Sequence, residues 1–225
     1  MLSDSLEEIY RRLLEHFGPQ HWWPGDTPFE IMVGAILTQN TNWQNVEKAI
    51  SNLKATGVLS FPAISALDRE ELAEYIRPAG YYNIKAGRLQ NLFSMIEEQW
   101  SGDVDALLGQ SAAVLREQLL SVKGIGPETA DSIILYAAEQ PVFVVDAYTH
   151  RILLRHELIS EDCDYHQMQE LFMDNLAEDT ALFNEYHALL VQVGKRFCRK
   201  SKPQCRACPL AGVNDINLMT EVIPD

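Results

Sequence analysis

Signals for helix starts recur along almost the whole chain, and they restrict its fold more than any other feature of the sequence. Thr27-Pro-Phe-Glu30 is a capping box with proline at the first helical position, which predicts a helix from Pro28 to about Gln39. Asp68, with Glu71 three residues later, predicts the start of a short helix. Apolar residues at helical spacing predict further helices over residues 3–17, 42–55, 83–100, 111–121 and 127–138, and from about residues 147, 165 and 181. The sequence therefore predicts an all-α protein.

The segment PVFVV, residues 141–145, is the one candidate strand in this pattern. Its five apolar residues fit either a strand or a buried connector, and the pattern alone does not separate the two. Because the other connections are short, we expect interlocked helices rather than two domains on a long linker.

The apolar runs of the sequence are all shorter than the ~18 residues that a membrane-spanning helix needs. The start MLSDSLEEIYRRLL also lacks the basic, apolar and small-residue order of a signal peptide. We therefore expect a cytoplasmic protein with no membrane partner, and we expect it to be a monomer.

The formal net charge of −14 argues against nucleic acid as a partner if the charge is spread evenly. However, residues 156–194 hold nine acidic side chains and no lysine or arginine, whereas six of the 18 basic residues lie between Lys195 and Arg206. The acidic block could be a solvated face. The basic segment offers a surface that could face phosphate groups.

A turn from Lys123 to Pro127, KGIGP, joins two of the predicted helices. Gly124 and Gly126 can adopt the backbone angles of a tight turn, and Pro127 suits the first helical position. Backbone N–H groups at such a helix N-terminus suit a phosphate oxygen, although the same pattern is typical of an ordinary helix–helix turn. Twenty residues after Gly126 the apolar link ends in Asp146, whose simplest role is the N-cap of the next helix.

Three of the four cysteines, Cys198, Cys205 and Cys208, follow the spacing C-x6-C-x2-C near the C-terminus. In a chain of this size and expected compartment, such a cluster indicates a metal site rather than a disulfide framework.

Several motifs, in this order along the chain, resemble the helix-hairpin-helix DNA glycosylase superfamily in its endonuclease III-like branch. They are FEIMVGAILTQNTNWQNVEKAI with its Q-x-T turn, YIRPAGYYNIKAGRL with the pattern G-x-Y-N-x-K-A, the KGIGP hairpin, the aspartate twenty residues later and the cysteine block. The resemblance implies two α-helical domains: a six-helix barrel over residues 25–138 that contains the hairpin, and a discontinuous domain of residues 1–24 and 139–225. It further implies an active-site groove between these domains, and double-stranded DNA with a damaged base as the partner.

The resemblance also assigns roles to the candidate residues. Lys123, Gly124 and Gly126 would bind a DNA phosphate. Gln39 would enter the space left by a flipped nucleotide, although it could also be an exposed polar residue at a helix end. Asp146 would stabilise the positive charge that develops on the sugar, and it could orient the attacking water.

Glu128, which the resemblance places at the catalytic site, indicates the type of reaction. Family members that also nick the strand carry a lysine at this position, and its amine forms a Schiff base with C1′. A carboxylate cannot form that imine, so the resemblance implies a monofunctional glycosylase that uses water and leaves an abasic site. An adenine-mismatch glycosylase is also monofunctional, but its catalytic glutamate would stand where this chain has Ala35.

The branch with glutamate at this position is the 3-methyladenine DNA glycosylase of endonuclease III-like type. Trp22, Trp23 and Trp43 match aromatic residues that sandwich the base in that branch, although they could instead pack a junction between domains. Stacking an N-alkylated, cationic purine on tryptophan gains ~2 kcal/mol or more when the pair is desolvated. A cationic base is also a good leaving group.

The cysteine block matches the first three ligands of the family's four-cysteine [4Fe-4S] loop, but Asn214 stands at the fourth position. Asp215 or Cys163 could supply the missing ligand, zinc could replace the cluster, or the loop could hold no metal.

Two other functions stay open at this point. One is an endonuclease III-type glycosylase for oxidised pyrimidines or mismatched thymine. The other is a non-catalytic helix-hairpin-helix module that binds DNA.

Overall fold

The computed structural model describes residues 2–22 and 25–213 of the 225-residue chain. Within these ranges the chain forms twelve α-helices: α1 (Leu2–Phe17), α2 (Pro28–Leu37), α3 (Trp43–Ala55), α4 (Phe61–Ser65), α5 (Arg69–Tyr75), α6 (Tyr82–Trp100), α7 (Val104–Leu108), α8 (Ala112–Ser121), α9 (Pro127–Tyr136), α10 (Ala147–Arg155), α11 (Tyr165–Met173) and α12 (Thr180–Arg196). Short 3-10 turns cover Arg77–Ala79 and Cys205–Ala207. No β-strand occurs in the described ranges, so the all-α prediction is confirmed.

The PVFVV segment is an extended connector between α9 and α10. Phe143, Val144 and Val145 are buried, which explains why the segment is apolar although it forms no strand. None of the helices in the described part of the chain is both long enough and apolar enough to cross a membrane.

Side-chain caps explain why the helices begin where the sequence predicts. Thr27 Oγ1 accepts a hydrogen bond from the Glu30 N–H at 3.1 Å, and Asp68 Oδ1 accepts one from the Glu71 N–H at 2.8 Å. These bonds satisfy backbone donors that the helix itself leaves without a partner. The carboxylate of Glu30, predicted to complete a capping box, pairs with Lys54 Nζ at 2.8 Å.

The sequence pattern does not predict α4 and α7. Each has five residues, which is too short a stretch for the helical period to stand out. α7 nevertheless has a cap, since Asp103 Oδ1 accepts a hydrogen bond from the Ala106 N–H at 2.8 Å.

The chain forms two compact units, one of residues 1–22 with 141–225 and the other of residues 23–140. In the first unit, α12 packs against both α1 and α10. Tyr186 of α12 is fully buried, and its hydroxyl donates to the Leu6 carbonyl of α1 at 2.8 Å. The rings of Phe143 and Phe172 stack with their centroids 3.9 Å apart, which anchors the connector to α11.

The second unit contains α2 to α9, with α6 against α5 and α2 against α9. Phe29, Phe61 and Phe93 pack together in its core, with ring centroids 5.9–6.0 Å apart. Burying three aromatic side chains in one cluster contributes several kcal/mol of hydrophobic stabilisation.

Lys85 of α6 fixes the end of α2. Its ammonium group is buried and donates to the Leu37 carbonyl at 2.8 Å and to the Ala79 carbonyl at 2.7 Å. Burial, with a smaller contribution from the charge of Arg88, lowers the pKa of Lys85 to about 8. Because Leu37 is the last residue of α2, this side chain holds the helix end that leads into the Gln39 turn.

An ion pair joins the two helices of the hairpin. Arg116 of α8 donates to both carboxylate oxygens of Asp131 of α9, from Nε at 2.7 Å and from a terminal nitrogen at 3.2 Å. The Asp131 side chain has no solvent exposure, so the pair fixes α8 relative to α9 at a point shielded from water.

We expect Arg116→Met to lower the free energy of unfolding by about 3 kcal/mol, because the buried Asp131 carboxylate loses its guanidinium partner. The matched change Arg77→Met breaks a surface pair with Glu74 and should cost less than about 1 kcal/mol. Urea denaturation of both variants, followed by circular dichroism, measures the difference. Similar losses in the two variants would contradict this account of the hairpin.

Candidate active site

The predicted hairpin turn lies between α8 and α9, in the second unit. Gly124 has φ +101°, a left-handed conformation that favours glycine, and a Cβ atom at this position would lie 2.5 Å from Arg88 Cγ. Gly126 is the N-cap of α9 with extended backbone and open space around it. Lys123, Gly124 and Gly126 are all exposed. The turn therefore presents its backbone at a helix N-terminus, as a phosphate-binding turn requires.

Gln39 contacts this turn directly. Its Nε2 donates to the Gly124 carbonyl at 3.0 Å and to Thr129 Oγ1 at 2.9 Å. Its Oε1 accepts a hydrogen bond from Arg88 of α6. The structure thus brings together two of the predicted DNA-contacting residues, Gln39 and Gly124. A Gln39 side chain that enters DNA would have to exchange these three hydrogen bonds for others.

Glu128 is the second residue of α9 and is exposed. A carboxylate in the first turn of a helix is stabilised by the positive end of the helix dipole. This local effect alone gives glutamate a favourable place here, and the same carboxylate puts a negative charge beside the turn.

Asp146 lies in the first unit as the N-cap of α10. Its Oδ1 accepts three hydrogen bonds, from the Tyr148 N–H at 2.9 Å, the Thr149 N–H at 2.8 Å and the Thr149 hydroxyl at 3.0 Å. Its Oδ2 lies 3.6 Å from Nε2 of His187 on α12. The predicted cap is therefore present, and it uses one carboxylate oxygen while the other faces an imidazole.

The surroundings of Asp146 favour its ionised form. Burial acts to raise the pKa of this carboxyl group, but the nearby His187 and the hydrogen bonds from Thr149 outweigh it and hold the pKa below its usual range. A carboxylate that is charged, held in place and only 12% exposed has the properties needed to stabilise a nearby positive charge.

Contacts between α10 and α12 hold Asp146 in position. Gly194 of α12 allows the Tyr148 ring to lie against the helix backbone, since a Cβ at Gly194 would overlap that ring. Arg151 of α10 donates from Nε to the Cys198 carbonyl at 2.7 Å. Two turns of α10 are thus fixed against α12 and the residues that follow it.

The tryptophans predicted to bind the base are divided between the two units. Trp22 is half-buried at the end of the first segment of the first unit. Trp43 is the half-buried first residue of α3, and its ring edge lies 3.8 Å from the position that a Cβ of Gly34 would take. Trp23 lies outside the described residues. The role of all three in binding a base stays a prediction.

Cys198, Cys205 and Cys208 line one pocket of about 190 Å³, together with Arg155 and His156. The Cys198 thiol is buried and accepts a hydrogen bond from Arg155 at 3.2 Å. Burial raises the pKa of the Cys208 thiol to about 11. The structure therefore brings the three predicted ligands to one pocket, but in an environment that favours the neutral thiol at Cys208.

The described residues do not fit a metal group at this pocket. Among residues 2–22 and 25–213, no set of three or more His, Cys, Asp or Glu side chains is arranged to hold a metal ion. Asn214 and Asp215, which stand at and beside the expected fourth position, lie outside those residues. Cys163 lies outside the lining of the pocket, with its thiol donating to the Asp164 carbonyl at 3.7 Å. The [4Fe-4S] cluster therefore stays a prediction.

Comparison with known proteins identifies the family. A family model described as HhH-GPD superfamily base excision DNA repair protein matches residues 33–178. The chain belongs to this superfamily. It is thereby a base-excision-repair DNA glycosylase, an enzyme that cleaves the bond between a base and its sugar, and the predicted family is confirmed.

Individual relatives agree with the family assignment. A protein of Methanocaldococcus jannaschii, provisionally named a DNA repair glycosylase, is 47% identical over 208 residues that cover 92% of this chain and 94% of that protein. Endonuclease III of Thermotoga maritima is 27% identical over 204 residues, which cover 90% and 89% of the two chains.

Solved structures show the same fold. The 3-methyladenine DNA glycosylase of H. pylori, bound to 1,N6-ethenoadenine, is 30% identical with a TM-score of 0.73, over 85% of this chain and 97% of that one. An endonuclease III–DNA complex is 22% identical with a TM-score of 0.81, over 94% of each chain. The likeness to the endonuclease III complex shows that the two proteins share a fold.

Sequence reasoning misses three residues that this glycosylase places beside the predicted ones. His187 faces Asp146 from α12, 41 residues later in the sequence, a contact that no local pattern indicates. Arg88 and Thr129 hold Gln39 on the hairpin. Arg88 follows Lys85 by three residues and therefore lies on the same side of α6. Both residues belong to the motif YIRPAGYYNIKAGRL, so this position could be found from the sequence.

We expect Gly124→Ala to lower the free energy of unfolding of this glycosylase by more than about 1 kcal/mol, because alanine is strained at φ +101° and would displace Arg88. Gly126→Ala is the matched control, since its φ is −101° and the space around it is open. This second variant should stay within about 0.5 kcal/mol of wild type. Thermal denaturation of both measures the effect, and equal stability of the two variants would refute it.

Proposed function

We propose that this glycosylase removes an alkylated, positively charged purine such as 3-methyladenine by hydrolysis, and that it leaves the DNA strand intact. The observation that carries the proposal is that the chain has an anchored, ionised carboxylate at Asp146 and a carboxylate instead of an amine at Glu128. The first can support glycosidic bond cleavage. The second cannot form the imine on which strand cleavage depends.

Asp146 would act through Oδ2, the carboxylate oxygen that does not cap α10. Cleavage of the N-glycosidic bond gives the sugar oxocarbenium character, and a fixed negative charge beside C1′ stabilises that transition state. Because the three bonds to Oδ1 hold the carboxylate in place, little reorganisation is needed when the positive charge develops. Oδ2 is then the oxygen that faces the sugar or accepts a proton from the attacking water.

The proposed substrate class fits the chemistry of these residues. A cationic base leaves without first gaining a proton, so the reaction needs no strong general acid. Glu128 would add negative potential near such a base. Stacking of the base on Trp22, Trp23 or Trp43 would add cation–π attraction of ~2 kcal/mol when desolvated. The 30% identity to a 3-methyladenine DNA glycosylase supports this substrate class.

The hairpin would supply the grip on the DNA backbone. The exposed turn of Lys123, Gly124 and Gly126 offers a lysine and backbone N–H groups to one phosphate. Gln39, in contact with Gly124, would enter the duplex beside that phosphate.

A second candidate function is an endonuclease III-type glycosylase for oxidised pyrimidines or mismatched thymine. Identities of 27% and 28% to the endonuclease III proteins of Thermotoga maritima and Sulfolobus acidocaldarius favour it. Glu128 cannot form a Schiff base, so its presence disfavours the strand-nicking part of such an activity.

A panel of damaged duplexes separates the two candidates. We expect base release from DNA containing 3-methyladenine, with strand breaks appearing only after alkali and with no covalent complex trapped by borohydride. Duplexes with thymine glycol or a T·G mismatch should react much more slowly. Strand breaks before alkali would contradict the role of Glu128, and faster release of thymine glycol or mismatched thymine would favour the second candidate.

We expect Asp146→Asn to slow single-turnover excision by about 10² or more, because asparagine keeps the helix cap but removes the charge. DNA affinity should change little. Asp146→Ala removes the cap as well and should lower the free energy of unfolding by about 1 kcal/mol relative to the asparagine variant. Excision by Asp146→Asn at the wild-type rate would show that Asp146 is only a structural cap.

A further inference from the structure

The two oxygens of the Asp146 carboxylate have different partners. Oδ1 accepts hydrogen bonds from Tyr148 and Thr149, which lie on the same helix. Oδ2 lies 3.6 Å from Nε2 of His187, which belongs to α12. The oxygen that the proposed reaction uses is therefore the one whose surroundings are set by a different helix, α12.

We propose that His187 is a positioning residue for Asp146. It holds Oδ2 of Asp146 in the orientation used for glycosidic bond cleavage. This inference rests on the proposed role of Asp146. His187 acts here through Asp146 and not on the DNA.

The distance between the two side chains is set by rigid packing. His187 and Gly194 are seven residues apart, so they lie two turns apart on one face of α12. Gly194 receives the Tyr148 ring from the first turn of α10, directly after Asp146. The close approach of α10 and α12 therefore holds Asp146 opposite His187.

Burial strengthens the interaction between the two side chains, although their distance exceeds that of a normal hydrogen bond. The two side chains are only 14% and 12% exposed, and Nε2 of His187 has almost no exposed surface. Electrostatic interactions between partly charged groups are much stronger at such a site than in water. The low pKa of Asp146, to which His187 contributes, agrees with this geometry.

His187 adds a second restraint to the carboxylate that the cap already holds. The carboxylate is planar, so Oδ1 and Oδ2 turn together about the Cβ–Cγ bond. The bonds to Oδ1 restrict this rotation at one oxygen, and His187 restricts it at the other. Nε2 of His187 lies 3.6 Å from Oδ2, and a proton on this nitrogen stabilises the negative charge of the carboxylate. A transition state with a short-lived positive charge is stabilised best by a group that is already in place.

The decisive test is a double-mutant cycle. We expect His187→Leu to slow single-turnover excision of 3-methyladenine by about tenfold at saturating enzyme, with DNA affinity unchanged within about twofold. His187→Gln, which keeps an N–H donor, should recover part of the lost rate. His166→Leu makes the same change at an exposed histidine of α11 and should have the wild-type rate.

In the Asp146→Asn background, His187→Leu should change the remaining rate by less than about twofold, because His187 acts only through the carboxylate. Full additivity of the two losses, or a wild-type rate in His187→Leu, would overturn the inference. A general loss of folding in the leucine variant would show as a lowered melting temperature, and His187→Gln then replaces it in the cycle.

A second measurement does not depend on excision. The carboxyl carbon of Asp146, followed by ¹³C NMR in the free protein, should titrate at a higher pH in His187→Leu than in wild type, and at an unchanged pH in His166→Leu. An unchanged titration in His187→Leu would overturn the inference. If wild type excises no base but this shift is seen, the proposed function fails while the pairing of His187 with Asp146 stands.

Discussion

The N-cap of α10 is the interaction on which the candidate site depends. One carboxylate oxygen of Asp146 begins the helix, and this structural use fixes the position of the other oxygen. Asparagine or serine would cap the helix about as well as aspartate, so the cap alone does not require a charged residue. A largely buried carboxylate kept ionised against its burial is the feature that a merely structural cap would not need.

The hairpin depends on a second set of close contacts within the other unit. Gly124 leaves room for Arg88, and Arg88 and the hairpin together hold the amide of Gln39. The ion pair of Arg116 with Asp131 keeps the two hairpin helices in place behind the turn. The turn after α2, helix α6 and helix α9 are far apart in sequence, and together they define the shape of one exposed turn.

Local sequence patterns predict the helices of this protein well, because many of the helices start at short-range side-chain caps such as Thr27 and Asp68. They also predict Asp146 as a cap and Gly124 as a turn residue, since both depend on neighbouring residues alone. His187 could not be predicted in this way, because its contact with Asp146 depends on how α12 packs against α10. The sequence does not predict the five-residue helices α4 and α7, because so short a stretch shows no helical period. The role of the cysteine pocket depends on residues other than Cys198, Cys205 and Cys208, which the spacing pattern does not identify.

The central claim is that the Asp146 carboxylate stabilises positive charge on the sugar. Its most direct test is the affinity for duplex DNA that carries a cationic pyrrolidine in place of one sugar, compared with the uncharged tetrahydrofuran analogue of an abasic site. Wild type should bind the cationic analogue at least about tenfold more tightly, and Asp146→Asn should lose most of this preference while binding the neutral analogue as before. Equal affinity of wild type for the two analogues, or an undiminished preference in Asp146→Asn, would contradict the claim.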